Sequence, residues 1–357
     1  MSILQKAIEV MEQKACDAIM ISNRHNMRYI SGYCGDTGIV VITKEDKLLF
    51  TDFRYIFQAQ AEAKDYEVID IGNDSYAKAI AKELKKRQIK KVGFDEEEVS
   101  YTTYTKFFKE FEGMELVPYS DELSRLRMVK TAHELACIKQ AEHIGDLVFA
   151  QIVKDIRPGV TELEIAAKLE YLLKTNGAEG ISFSPIVASG VNSSMPHAVP
   201  SRKPIAEGDF VTLDFGCIYE GYCSDMTRTV VVGKASDKQK EIYETVLRAQ
   251  LAVLDQLKAG MKGIEVDKIA RDIIYKAGYE GCFGHGLGHS VGLFIHESPR
   301  ASAKAEDIIL ENMTLTVEPG IYVKDFGGVR IEDLVVVTKD ACENYTHSPK
   351  ELMELDV

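Results

Sequence analysis

The chain predicts an α+β fold, in which a C-terminal domain with an antiparallel sheet and flanking helices is preceded by a smaller α/β domain. Three observations predict it. Its 357 residues are enough for two domains. The first ~120 residues alternate helical and strand-like periods. The remainder separates capped helices from hairpin-like stretches, the grammar of segregated helices and antiparallel strands. A charged connector, Ser120 to Lys130, lies between the two regions, so the expected domains are 1–124 and 125–357.

In the first region the spacing predicts a helix over Ile3 to Lys14 and strands over Asp17 to Ser22, Gly38 to Thr43, Lys47 to Thr51 and Tyr66 to Ile71. Tyr76 to Arg87 reads as a helix and Lys91 to Phe94 as a short strand. His25 is the only histidine here. In the second region Thr131-Ala-His-Glu134 is a capping box, and its helix should stop at Arg157-Pro158-Gly159. Thr161-Glu-Leu-Glu164 opens a second helix that closes near Gly177, and Ser236-Asp-Lys-Gln239 opens a third that ends before Gly260. A fourth runs from about Val266 to Ala277 and stops at Gly278. Phe210 to Phe215, Tyr222 to Val232, Met313 to Val323 and Val329 to Val337 read as strands.

Composition narrows the function classes. With 45% hydrophobic and 28% charged residues the chain is neither disordered nor collagen-like. A net charge of −13 argues against nucleic acid and against anionic membranes as partners. The seven cysteines are scattered and contain no C-x-x-C, which suggests reduced thiols and a cytoplasmic protein. The N-terminus is amphipathic, with charge from Lys6 onward, unlike a secretory segment. No apolar run approaches the ~18 residues of a membrane span.

Carboxylates in strands carry the chemistry. Aspartate is disfavoured in strand interiors, yet Asp214 sits in Val211-Thr-Leu-Asp214-Phe. A two-residue loop at Tyr219-Glu220 makes Asp225 its direct cross-strand partner, with Cβ atoms about 5 Å apart. A second hairpin turning at Asp325 pairs Glu318 with Glu332. Like charges so placed repel unless a cation or a shared proton lies between them. Four of the eight histidines fall between His197 and His296. Gly284-His285-Gly-Leu-Gly288-His289-Ser-Val-Gly292 is too glycine-rich for a helix, so the i, i+4 histidines are not a zincin pair, and the segment has no phosphate-loop pattern. Four carboxylates and an imidazole without thiolate suit Mn²⁺, Co²⁺, Fe²⁺ or Zn²⁺. They offer enough oxygen for two such ions about 3.5–4 Å apart, which activate water and polarise a carbonyl.

These residues resemble the metal-binding quintet of the M24 "pita-bread" metallopeptidases, which include methionine aminopeptidase, aminopeptidase P and prolidase. The supporting motifs are Ile181-Ser-Phe-Ser-Pro-Ile-Val-Ala-Ser-Gly190, Pro196-His197, Leu213-Asp214-Phe-Gly216, Ser224-Asp225-Met-Thr-Arg228-Thr, His285-Gly-Leu-Gly-His289, Val317-Glu318-Pro-Gly320 and Gly328-Val-Arg330-Ile-Glu332-Asp333. Asn26-Met-Arg-Tyr-Ile-Ser-Gly-Tyr33 and Thr51-Asp-Phe-Arg-Tyr55 resemble the smaller domain that precedes the catalytic one in prolidase, aminopeptidase P and creatinase. The resemblance implies a pita-bread C-terminal domain and two divalent ions per chain, Mn²⁺ or Co²⁺ first, then Zn²⁺ or Fe²⁺. It implies that Asp214 chelates one ion, that Asp225 and Glu332 bridge both, and that His289 and Glu318 complete the other site. It also makes Glu318 the acid/base and His197 and His296 substrate-facing groups that steady the intermediate or move protons. His285 and Arg330 would stand behind the ligands.

The N-terminal domain favours the Xaa-Pro branch of the family, with proline-containing di- or oligopeptides as substrates and a homodimer as the assembly. A bond to proline is a tertiary amide without an N–H, so a peptidase for it needs a dedicated pocket and a strong Lewis acid. Arg300 stands where prolidase-like members carry an arginine suited to a free carboxylate, which leans toward Xaa-Pro dipeptidase over aminopeptidase P. Methionine aminopeptidase, a metal-free creatinase-like C–N hydrolase and a non-catalytic pita-bread binding protein are the remaining readings.

Overall fold

The four inner strands of the N-terminal unit are buried on both faces, and their side chains explain why. In the computed structural model, which describes residues 2–356, Ile19, Val40 and Leu49 pack with Val10 and Met11 of the helix Ile3–Gln13. Their neighbours Met20, Val41 and Phe50 point the other way, onto Ile80 and Leu84 of Tyr76–Lys86 and Phe107 of Tyr101–Glu110. Period-two alternation thus feeds two apolar layers around one sheet. The sheet has six strands in the order Glu67–Asp70, Lys47–Thr51, Ile39–Thr43, Ala18–Ile21, Lys91–Asp95 and Glu115–Tyr119, antiparallel at the centre and parallel toward both edges. The helices Arg24–Ser31, Ile56–Glu62 and Tyr101–Glu110 and the strand Glu115–Tyr119 lie outside the elements expected from periodicity. Arg24–Ser31 is only two turns long and rests on its ends, with the Asn23 side chain accepting from His25 and Asn26 N–H and Gly32 closing at φ 80°.

The chain divides into two compact units after Arg127, three residues beyond the expected boundary at 124. In the C-terminal unit all three capping boxes form: Thr131, Thr161 and Ser236 accept from the N–H of Glu134, Glu164 and Gln239. The first helix, Ala132–Ile152, ends before the Arg157-Pro158-Gly159 signal, because turns occupy residues 153–155. It packs with Glu162–Thr175 against Val211, Leu213, Phe215 and Val230. The other pair, Asp237–Gln256 and Gly263–Lys276, backs Leu315, Val317, Val335 and Val337. Two helix pairs therefore cover the outward faces of the strands. The alternate face carries buried polar residues, Thr212, Asp214, Thr227, Thr229, Thr314 and Thr316, except along Asp333–Val337, where it is apolar with Leu334 and Val336.

The ladders break at the acidic residues. Unbroken strands were expected over Tyr222 to Val232, Met313 to Val323 and Val329 to Val337. The structure instead gives Tyr222–Cys223 and Met226–Val232, Thr314–Val317 and Gly320–Val323, and Gly327–Arg330 and Asp333–Val337. Asp225, Glu318 and Glu332 occupy the three gaps. Pro319 has no N–H to continue its ladder. Glu332 N–H leaves its hairpin and donates to Thr227 O at 3.1 Å. That bond joins the two sets of strands.

One register differs from expectation. Phe210–Phe215 pairs with Met226–Val232 so that Asp214 lies opposite Thr227, not Asp225. The hairpin turns at Glu220-Gly221, with φ 46° and 81°, one residue later than the Tyr219-Glu220 loop. A two-residue turn of this kind needs positive φ at both positions, and glycine meets that need where tyrosine does not. The pairing shifts by two residues along the partner strand, which preserves the face. Asp225 remains on the side of Asp214 as a diagonal neighbour. The second hairpin keeps the expected register, with Gly320 opposite Arg330 and Val317 opposite Asp333.

Candidate metal centre

Asp214, Asp225 and Glu332 each place a carboxylate oxygen within 4.8 Å of the others. His289 Nε2 lies 3.6 Å from Asp225 Oδ2 and 3.6 Å from Glu318 Oε1. Asp225 belongs to both groups, and the five residues predicted from sequence converge on one buried point. His289 reaches it from a short strand, Gly288–Ser290, not from a helix, as the glycines foretold. A Cβ on Gly288 would lie 1.9 Å from Thr316 O, so only glycine permits this approach. The close packing lets His289 N–H donate to Thr316 Oγ1 at 3.0 Å.

The protonation pattern tests whether cations fit. His289 Nδ1 is 3.1 Å from Ser290 O, a carbonyl that only accepts, so the ring proton is on Nδ1 and Nε2 carries a lone pair. Burial, with His296 nearby, pushes the imidazole down to about 3, so it is neutral despite its two acidic neighbours. The contacts to Asp225 and Glu318 are therefore not ion pairs: a lone pair faces two carboxylate oxygens. Burial and then Glu332 hold the Asp225 carboxyl well above its usual range, burial and then Glu318 do the same to Glu332, and burial pushes Glu318 up to about 8. Asp214 Oδ1 is buried without a hydrogen-bond partner. Among the described residues only one cationic side chain bonds directly to a carboxylate of the set: Arg330 Nη2 donates to Asp214 Oδ2 at 2.5 Å. Four carboxylates, an unshared imidazole lone pair and an orphan oxygen fit divalent cations.

Behind the ligands runs a connected chain of hydrogen bonds. Arg330 Nη1 donates to Tyr322 OH at 2.9 Å, and Tyr322 OH lies 2.9 Å from His285 Nε2. His285 Nδ1 is 2.8 Å from Gly286 O, which fixes its proton there and makes Nε2 the acceptor of the tyrosine proton. Burial and then Arg330 push His285 down to about 4, so its 4.0 Å approach to Glu318 is no ion pair either. Arg330 Nε donates to Thr227 Oγ1 at 3.1 Å, and Thr227 Oγ1 donates to Glu332 Oε2 at 2.6 Å. On the far side of the strands Glu142 accepts from Asp225 N–H at 3.2 Å. Thr227, Tyr322 and Glu142 were not singled out from sequence. Thr227 has a signal in hindsight, because it lies two residues from Asp225 on the same strand face.

These four carboxylates and His289 floor a cleft of about 610 Å³ lined also by Phe183, Ile186, His197, His296, Arg300 and Arg330. His197, His296 and Arg300 are exposed at its mouth. The rings of His296 and His289 meet edge to face with centroids 4.5 Å apart. Burial and then Arg300 and His197 lower the His296 pKa. Arg300 lies opposite His289 in the Gly288–Ser290 and Glu297–Ala301 ladder, which seats its strand beside the ligand.

A pita-bread fold with converging carboxylates and an imidazole that fit divalent cations, on the floor of a cleft, defines a metal-dependent hydrolase acting on peptides. The chain belongs to metallopeptidase family M24, whose model matches residues 136–339, and residues 3–129 match the creatinase/prolidase N-terminal domain. The structure is similar to the Xaa-Pro dipeptidase from Bacillus anthracis, with a TM-score of 0.96 and 42% identity over 99% of each chain. It is also similar to the X-Pro aminopeptidase from Thermotoga maritima MSB8, with a TM-score of 0.90, 39% identity, and 98% of this chain and 100% of that one covered. The Xaa-Pro dipeptidase of Pyrococcus horikoshii is 39% identical over 356 residues, 98% of each chain. Among the described residues no helix is long and apolar enough to cross a membrane.

Proposed function

We propose that this metallopeptidase hydrolyses the peptide bond preceding proline as an Xaa-Pro dipeptidase, with Asp214, Asp225, His289, Glu318 and Glu332 holding two divalent cations, Mn²⁺ or Co²⁺ first. One observation carries the reading: the His289 Nε2 lone pair faces two carboxylate oxygens at 3.6 Å, a separation too long for a shared proton and suited to a cation between them. When bound, such ions supply Lewis acidity that acidifies water and polarises a carbonyl.

The chain's own residues do the rest. Glu318, at the gap between two ladders, takes the proton from the attacking water and delivers it to the prolyl nitrogen, which must be protonated to leave. Thr316 Oγ1 donates to Glu318 Oε1 at 3.1 Å and so leaves Oε2 for that proton. His197 and His296 bind the substrate carbonyl at the mouth; the lowered pKa of His296 keeps its ring neutral at pH 7, with one N–H to donate and one lone pair to accept. Arg330 and Tyr322 orient Asp214 and His285. Arg300 takes the free carboxylate of a dipeptide, which suits a fork of two N–H donors. Likeness to both a dipeptidase and an X-Pro aminopeptidase keeps aminopeptidase P as the second reading.

We also place the protein in the cytoplasm, on the scattered spacing of its seven cysteines without a C-x-x-C. The proposed assembly is a homodimer, to be checked by light scattering. Exhaustive chelation is expected to abolish hydrolysis of an Xaa-Pro dipeptide, and Mn²⁺ or Co²⁺ to restore it. In competition the loaded enzyme is expected to choose Xaa-Pro over Xaa-Pro-Yaa. Turnover by metal-free protein would overturn the metal assignment and favour a creatinase-like route. Preference for the longer peptide would shift the reading to aminopeptidase P.

A further inference from the structure

A second group of metal-ligating side chains lies outside the cleft. His133 and Cys137 stand four residues apart on the helix Ala132–Ile152, so both side chains lie on one face. Glu220 faces them from the tip of the hairpin that leads to Asp225, where its φ of 46° is part of the turn. Cys137 Sγ is 3.8 Å from His133 Nε2 and 3.6 Å from Glu220 Oε2. The three ligand atoms lie within 4.8 Å of one another. None of the three residues lines the cleft.

From these positions we infer that His133, Cys137 and Glu220 form a separate site for one zinc-class cation. Ligands at the corners of a tetrahedron around Zn²⁺, with Zn–S near 2.3 Å and Zn–N or Zn–O near 2.1 Å, sit about 3.5 Å apart. The two sulfur separations are within a few tenths of an ångström of that edge, so small side-chain adjustments admit the ion. One thiolate, one imidazole and one carboxylate suit Zn²⁺ or Co²⁺ and do not suit Mg²⁺ or Ca²⁺. Cys137 is buried while His133 and Glu220 are exposed, so the fourth position opens to water. On binding, the Cys137 thiol releases its proton to solvent and the sulfur becomes a ligand.

The site has a mechanical role that follows from its anchors. Glu142, on the same helix, accepts from Asp225 N–H at 3.2 Å. A cation at Glu220 therefore clamps the tip of the hairpin to the helix that already holds the backbone of Asp225. The site supports the hydrolytic centre from outside and takes no part in its chemistry.

Cobalt distinguishes the two locations, because the residues proposed for the cleft include no thiolate. Full-length protein stripped of metal and titrated with Co²⁺ is expected to bind one equivalent that gives near-ultraviolet sulfur-to-cobalt charge-transfer absorption. Cys137→Ser is expected to lose that absorption and that equivalent while retaining peptidase activity with the cleft loaded. His133→Ala, at an exposed position, is expected to weaken the same equivalent by at least ~10–100-fold, the loss typical of disturbing groups that merely support a metal ligand. Wild-type protein without the band, or a band that survives Cys137→Ser or keeps its affinity in His133→Ala, would overturn the assignment and leave an ordinary hydrogen-bonded cluster. Failure of the cleft to hold metal would remove other equivalents and leave this band intact.

Discussion

Asp214 shows how one side chain is shared between structure and chemistry. One oxygen accepts from Arg330, and the other is buried with no donor. The guanidinium orients the carboxylate without occupying it. Arg300 has the opposite character: it is exposed at the mouth of the cleft, and the proposed dipeptidase reading gives it the substrate carboxylate. Arg300→Ala is therefore expected to raise KM for Xaa-Pro dipeptides about 10–100-fold, the scale of a lost charge-assisted contact of about 1.5–3 kcal/mol. Longer Xaa-Pro peptides, which place their carboxylate elsewhere, should be little affected; equal loss on both would remove the dipeptidase assignment. Residues of this kind differ in legibility. Asp214 is visible in sequence because aspartate is out of place in an apolar strand. Tyr322 is an ordinary strand residue whose local pattern does not show that its hydroxyl ties Arg330 to His285, whereas Thr227, which ties Arg330 to Glu332, is marked only by its spacing from Asp225.

At the scale of elements, capping boxes and glycine stops gave the long helices, because these signals are local. Pairing register was less accessible. It depended on which of two adjacent dipeptides makes a turn, and the deciding fact was that Gly221 tolerates positive φ. The error moved Asp225 from a direct to a diagonal neighbour but left it on the same face, so the convergence of the acidic side chains was legible although the pairing was not. The strand Asp333–Val337 is held by a buried junction that no local pattern announced. Asp333 receives Arg228 Nη2 at 2.8 Å, Gln250 Nε2 at 2.8 Å and Asn344 Nδ2 at 2.7 Å, with Lys350 also in contact. Burial opposes its charge, but Arg228 and Lys350 hold the carboxyl below its usual range. Asp333→Asn leaves buried Arg228 and half-buried Lys350 without their counter-charge. It is expected to destabilise the C-terminal unit by about 3–5 kcal/mol, the usual cost of breaking a buried pair, as read from denaturant unfolding. A loss under about 1 kcal/mol would mean that the surrounding amides hold the junction unaided.

The whole molecule contains two units with separate cores, and its stability need not respond to pH uniformly. Asp95, in the N-terminal unit, is buried, and that burial pushes its carboxyl up to about 6 although Glu97 and Glu98 N–H donate to it. Below its unfolded value of 3.8 both states are protonated, and the favourable contribution of the neutral acid is fully present. As pH rises to about 6 the unfolded chain ionises first, so this contribution is lost. The thermal midpoint of the N-terminal unit is expected to fall across that interval, and Asp95→Asn is expected to flatten the fall. An unchanged profile in the variant would assign the dependence to other groups. The change in periodicity signals an α/β unit followed by an α+β unit, whereas the pita-bread arrangement of the second came only from the resemblance of its motifs. The short helices of the first unit could not be read from periodicity, because their stability comes from end caps and from packing on the sheet.

The gaps at Asp225, Glu318 and Glu332 also bear on transplantation. A regular hairpin carrying the same acids would hold them at the fixed spacing of the pleat, splayed along its length. Here each acid sits where the chain is released from its partner and is free to bend inward. Anyone grafting this centre onto another scaffold would have to copy the interruptions as faithfully as the carboxylates.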